Sequence, residues 1–150
     1  MKPAVNIPIT FAVETTALDA GDVVSTTIEI PDAVDVSSGG SLLSSLTILD
    51  EADQGAQLDV YFLRSNVSLG TVDSAPNISD ANSREIIGVV SIATTDYVDF
   101  GGGKIATIRN IGLLLTALTG TSVYVTLVTS GTPTYGAAGA VKASLGVIKR

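Results

Sequence analysis

Residues 4–14 read Ala-Val-Asn-Ile-Pro-Ile-Thr-Phe-Ala-Val-Glu, and this alternation decides the fold. Val5, Ile7, Ile9, Phe11 and Val13 share one side of an extended chain, opposite Ala4, Asn6, Pro8, Thr10, Ala12 and Glu14. A period of two with one apolar side marks a half-buried β-strand. Pro8 brings no N–H to a ladder, which places this strand at a sheet edge.

The same rhythm returns along the chain. After a turn at 18–22, Val24, Thr26, Ile28 and Ile30 line a second strand that stops at Pro31. Leu42, Leu46 and Ile48 fit one side of a third strand; 50–57 reads as a polar reversal, with Leu58, Val60 and Phe62 returning as the antiparallel partner. Residues 65–83 are irregular, a long loop ending in one helical turn with Ser79 as its N-cap. Strand character resumes over 86–93, reverses through Asp96 to Gly103, and runs over 105–118 with a break near Asn110 or Gly112. Val123, Val125 and Leu127 form a further strand, and Val141, Ala143, Leu145 and Val147 mark the last. Roughly eight or nine short strands joined by Gly-, Asp- and Ser-rich turns predict an all-β fold, an antiparallel β-sandwich of jelly-roll type. With no internal repeat and no linker, residues 1–150 are expected to form one sandwich domain.

Composition narrows the function. The chain has no histidine and no cysteine, so the commonest general acid/base, the thiol nucleophile and the two preferred zinc ligands are missing. A net charge of −7 with only eight Lys and Arg residues argues against nucleic acid and against an anionic membrane surface. The start of the chain reads as a strand rather than a signal-peptide core, and the apolar run at 111–118 is too short to span a bilayer. Charged residues make up 15% of the chain, against about 25% in typical soluble domains. Ser, Thr, Gly and Ala replace them, which gives a small, neutral, weakly hydrated surface suited to contact between subunits.

Catalytic templates fail on named requirements. Gly101, Gly139 and Gly146 stand three residues before Lys104, Lys142 and Lys149, so no Ser-x-x-Lys pair exists. The Gly101–Gly103 run before Lys104 lacks both the earlier glycine and the Ser or Thr of a phosphate loop, since Ile105 follows the lysine. Asp50, Glu51 and Asp53, and Asp96 with Asp99, offer oxygens of the kind calcium uses, but without EF-hand spacing they read as solvated turn acids. Seven aromatic residues and no tryptophan supply poor walls for a carboxylate glycosidase. No enzyme activity and no cofactor are expected.

One segment breaks the one-sided rule. Leu113, Leu115 and Ala117 share a face, while Leu114 and Leu118 occupy the other. A strand apolar on both sides is covered by a loop of its own chain or by another subunit. The reading adopted is a subunit contact, with Leu113, Leu115 and Tyr124 as its residues.

The order of several segments also resembles a family. Ile87-Gly88-Val89-Val90-Ser91-Ile92, Leu113-Leu114-Leu115, Ser122-Val123-Tyr124-Val125, Gly131-Thr132-Pro133-Thr134-Tyr135 and Leu145-Gly146-Val147, with the earlier Thr15-Thr16 and Ala20-Gly21-Asp22-Val23, are similar to cement (decoration) proteins of tailed bacteriophages. The resemblance implies a jelly-roll or sandwich domain, a homo-oligomer of trimeric type, and a place on the outer capsid surface of the virion. It implies the major capsid protein as partner; the N-terminal segment containing Lys2, Val5, Ile7 and Ile9 is read as the candidate capsid contact. Two other readings fit the same composition: a tail or fibre module that binds a host-surface glycan through Tyr97 and Phe100, and a bacterial shell or adhesin subunit.

Overall fold

Ten strands form where the alternation is strongest, and they stack as two antiparallel sheets in the computed structural model, which describes residues 4–149. The strands are β1 Ala4–Thr10, β2 Ile28–Ile30, β3 Gly40–Asp50, β4 Leu58–Leu63, β5 Ile86–Ile92, β6 Tyr97–Asp99, β7 Lys104–Ile108, β8 Leu113–Thr116, β9 Val123–Thr129 and β10 Val141–Lys149. Among the described residues one α-helical turn forms, α1 Asp80–Ser83, capped by the Ser79 hydroxyl, which accepts from the Asn82 N–H at 3.1 Å, as its sequence predicts.

One sheet has the order β1-β10-β3-β7-β6, with β8 also paired to β3; the other runs β2-β9-β4-β5. The pairing is nested: β1 with β10, β2 with β9, β3 with β7 and β8, β4 with β5. A long hairpin rolled over itself produces that nesting, and the result is a jelly-roll sandwich. The expected fold class is therefore the observed one.

Between the sheets lies the main core, with Phe11, Leu43, Leu46, Ile48, Leu58, Phe62, Ile92, Leu127 and Leu145 fully enclosed. The final strand shows the cause most plainly, since Val141, Ala143, Leu145 and Val147 are buried in strict alternation. The edge position of β1 is also observed. Among the described residues β1 pairs only with β10, and Phe11 N–H bonds the Val141 carbonyl at 3.0 Å. Moving back along the strand by twos turns the Ile9, Ile7 and Val5 N–H groups toward β10, so Pro8 faces the open edge, where its missing donor costs the ladder nothing.

The structure corrects two expectations about strands. Leu58, Val60 and Phe62 are buried as expected, but β4 pairs with β5 and β9 in the opposite sheet, not with β3. Residues 50–57 are thus a crossover between sheets rather than a hairpin. Leu42 does not join Leu46 and Ile48 on the inner face. The ladder between β3 and β10 slips between Gly146 and Val147, leaving Ser44 as an extra residue, and this bulge puts Leu43 inside with Leu46 while Leu42 turns outward. The predicted break in 105–118 is present: Asn110 and Gly112 have φ of 56° and 69°, and they separate β7 from β8.

A second apolar cluster explains how the outer face of the β2-β9-β4-β5 sheet is covered. Val23, Leu63, Leu69 and Val128 are buried there, with Tyr61, Val67, Val72, Ile78, Ile86 and Tyr124 packed around them. The loop 64–85 lies across that face. Its base is tied by Arg64 to Glu85 at 3.1 Å and by Ser65 to Glu85 at 2.7 Å, and its far side by Asp73 N–H to the Val23 carbonyl at 2.9 Å. Bonds from Ser65 and Arg64 hold the Glu85 carboxyl below its ordinary range. At the far side the opposite holds: desolvation and the carboxylates of Asp22, Glu14 and Asp19 hold Asp73 above its ordinary range. A carboxyl raised in the folded state weakens that state once it ionises, above the raised value, and the penalty vanishes below the unfolded value. Asp73→Asn is therefore expected to raise the melting temperature at neutral pH and to leave it unchanged near pH 3, read by thermal denaturation across pH.

Candidate functional site

Among the described residues the second apolar cluster lies on the other sheet, and register shows what the outer face of the β1-β10-β3-β7-β6 sheet carries. At one end a row crosses four strands: Ala4 is opposite Ile148, Ile148 opposite Leu42, and Leu42 opposite Leu114. Leu114 is 52% exposed and Ile148 38%, with Leu42 half-buried between them. Val36, 57% exposed, lies over Gly39, and Leu114 flanks Gly40, so the row continues into the adjoining loop. Leu118, 45% exposed, lies two residues beyond β8, where the Ser38 hydroxyl donates to its carbonyl at 3.0 Å and its N–H bonds the Arg64 carbonyl at 3.0 Å.

The middle of the face is small and neutral. Asn6, Gly146 and Ser45 form one row, and Pro8, Ser144, Thr47 and Thr107 the next. The Ser45 hydroxyl occupies the space a side chain at 146 would need, so this strip is a shallow groove. At the far end Thr10, Lys142, Leu49, Ile105 and Val98 make a second, largely apolar row. Lys142 is the only charged side chain among these outward paired positions, and it forms an ion pair with Glu51 and bonds the Gly139 carbonyl at 2.8 Å. None of the fifteen acids occupies one of these outward positions. The charge-poor composition is thus concentrated on one face.

Of the residues expected at a subunit contact, Leu113 and Tyr124 are half-buried and Leu115 is enclosed. Leu115 is 0% exposed and belongs to the main core, so it has no surface to offer a partner. Leu113 packs against that core and over Gly88, bridging the two sheets. Tyr124 packs in the second cluster under the 64–85 loop. Both sides of 113–118 are apolar, but the inner side is Leu113, Leu115 and Ala117, and the uncovered side is Leu114 and Leu118. Alternation reveals that a strand has two apolar sides; it does not say which side the other sheet takes.

Of the N-terminal candidates, Val5 and Ile7 are half-buried and Ile9 is buried. Val5, Ile7 and Ile9 point into the sandwich, with Ile9 buried and the other two packed against the core. What β1 shows outside is Ala4, Asn6, Pro8 and Thr10. Lys2 lies outside the described residues.

The acidic turns have structural work. Asp50 is buried, and its carboxylate accepts from the N–H groups of Ala52 at 2.9 Å, Gln54 at 3.0 Å and Gly55 at 2.7 Å, which shapes the crossover to β4. Asp53 faces Lys104 at 3.6 Å. Asp96 accepts from Ala93 N–H at 2.8 Å and Asp99 from Gly101 N–H at 2.7 Å. Among the described residues no group of three or more carboxylates converges to hold a metal ion, and no helix is long and apolar enough to cross a membrane. Tyr97 donates its hydroxyl to the Ala56 carbonyl at 2.8 Å, and burial, with the charge of Asp50 nearby, pushes that hydroxyl far up from its ordinary range. That leaves Phe100, 55% exposed, as the one open ring of the pair considered for glycan stacking.

Comparison with known proteins gives no matching family model and no matching curated protein. Among solved structures, the chain is similar to the VP2 subviral particle of infectious bursal disease virus, at 17% identity over 98% of this chain and 33% of that one, with a TM-score of 0.42. It is also similar to the capsid of Ralstonia phage GP4, at 14% identity over 100% and 85%, TM-score 0.43, and to Desmodium yellow mottle tymovirus, at 10% over 99% and 86%, TM-score 0.33. The chain spans a third of the length of the first. These likenesses are too distant to carry a functional argument.

Proposed function

We propose that this chain is a structural, non-enzymatic protein of a bacteriophage virion: a cement (decoration) protein on the outer capsid surface, bound to the major capsid protein lattice as a homo-oligomer. The observation that carries the reading is the outer face of the β1-β10-β3-β7-β6 sheet, which has apolar rows at both ends, hydroxyls between, and one neutralised charge. Exposed apolar surface of this extent marks a protein contact. The order of segments shared with phage cement proteins supplies the partner, and the trimeric state belongs to the same resemblance.

The mechanism is mechanical. A protein that binds only the expanded lattice stabilises that state by mass action, and an oligomer spanning several lattice sites holds on more strongly than any single contact would. The test is co-expression with the major capsid protein encoded in the same genome, followed by sedimentation of the shells. Co-sedimentation with expanded shells, and resistance of decorated shells to heat or chelator, is the expected result. A protein that stays at the top of the gradient contradicts it.

A further inference from the structure

We infer that the outer face of the β1-β10-β3-β7-β6 sheet binds a second copy of this chain. The inference rests on reading that face as a protein contact and names the partner. Three observations select a copy of the chain itself.

The first is charge. Each chain carries a net −7, so two copies repel wherever their acids meet. The outer face holds none of the fifteen acids at its paired positions, and its one cation is already paired with Glu51. Like-charged chains can close on each other here with one carboxylate per chain at the margin, that of Glu51, already neutralised by Lys142.

The second is pattern. The face reads apolar, hydroxyl-rich, apolar along its strands, from the Leu42–Leu114 row through Ser144 and Thr47 to the Ile105–Val98 row. A face with this sequence of rows matches itself when turned end for end, as a two-fold contact between identical surfaces requires, so it joins chains in pairs and is distinct from the contact that would close a trimer. The hydroxyl strip then meets its own copy, and each apolar row meets an apolar row.

The third is size. Strands about 4.8 Å apart and residues about 3.3 Å apart make five strands by seven residues a face of roughly 550 Å². Two such faces remove roughly 1,100 Å² from water, just above the floor of about 1,000 Å² for a specific interface. A contact this close to the floor belongs with the small, transient interfaces, for which dissociation on dilution is the expected behaviour.

The experiment measures absolute mass by light scattering over a wide dilution range, for the wild type, Leu114→Asp and Ile148→Asp. Each variant is also checked for folding by circular dichroism and for co-sedimentation with shells. Leu114 is about half exposed and Ile148 over a third, and neither belongs to the enclosed core, so the variants are expected to fold, Leu114→Asp with the smaller loss of stability. The inference predicts a wild-type oligomer that dissociates on dilution, and variants that remain monomeric at concentrations at least tenfold higher. A wild type monomeric throughout, or variants with unchanged mass, overturns it. A monomer whose shell binding is lost in both variants assigns the face to the capsid instead, so the inference falls while the virion reading stands. A monomer that never binds shells defeats both.

Discussion

Leu115→Asp unfolds the domain, and Leu114→Asp, one residue earlier, does not: this is the expected result of a paired substitution in β8. Leu115 is fully enclosed between the sheets, so the change removes a packed side chain and leaves a carboxylate with no partner. Truncating a buried leucine costs about 2–5 kcal/mol, and an unpaired buried charge adds several more. Total stability for a domain of this kind is of order 5–15 kcal/mol, so the substitution consumes most or all of it. Leu114 stands on the opposite side of the same strand, where a surface change is typically within about 0.5 kcal/mol. Far-ultraviolet circular dichroism and urea titration of the two purified variants read the contrast directly. Two folded variants of equal midpoint would contradict the inward assignment of Leu115.

The other large effect is expected at Asp50. Its carboxylate is the acceptor for three backbone N–H groups in the crossover between β3 and β4. Bonds to a charged group are each worth about 1.5–3 kcal/mol, and a buried donor left without an acceptor costs about as much. Asp50→Ala is therefore expected to lower stability by about 3–5 kcal/mol, and Asp50→Asn, which keeps one acceptor oxygen, by less. Chemical denaturation of both variants gives the ordering. Because the oxygens are already engaged by the loop, millimolar calcium is expected to leave the wild-type melting temperature unchanged. A calcium-dependent rise would return these acids to the role of ligands.

Both predictions turn on what alternation conveys. The strands β1 and β10 are legible in sequence because one apolar side faces a core and no irregularity intervenes. The edge position of β1 follows from Pro8 alone, since proline lacks a donor wherever it stands. The bulge at Ser44 is hidden: two adjacent serines carry no signature of an extra residue, and the inward turn of Leu43 depends on pairing with β10, a hundred residues away. The crossover at 50–57 is hidden for a related reason. A polar loop of that length can close a hairpin or pass between sheets. Burial of Asp50 commits it to the passage between sheets, yet nothing in the sequence distinguishes that residue from an ordinary turn acid.

The candidate surface is legible in kind and not in position. Low charge content and a strand apolar on both sides point to an assembly surface, and one face of the sandwich concentrates both features. Leu113 and Leu115 are the bulky apolar side chains in regular positions, and those are the residues a sandwich takes for its own core. What remains for a partner is the complement: Leu114, Leu118, Ile148 and the hydroxyl strip beside them. Tyr124 is half-buried for a different cause, since only the fold shows that residues of the 64–85 loop pack beside it in the second cluster.

The central claim, that this face is buried when the protein assembles, has a direct test because the chain contains no cysteine. Ser144→Cys places a single thiol at the centre of the face, and Ser91→Cys places one on the outside of the other sheet. Maleimide labelling rates are compared for each variant in dilute solution and in the assembled state, whether a self-oligomer or shell-bound. The account predicts that the thiol at 144 labels readily when dilute and at least tenfold more slowly when assembled, while the thiol at 91 keeps its rate. Equal labelling of the thiol at 144 in both states would contradict it.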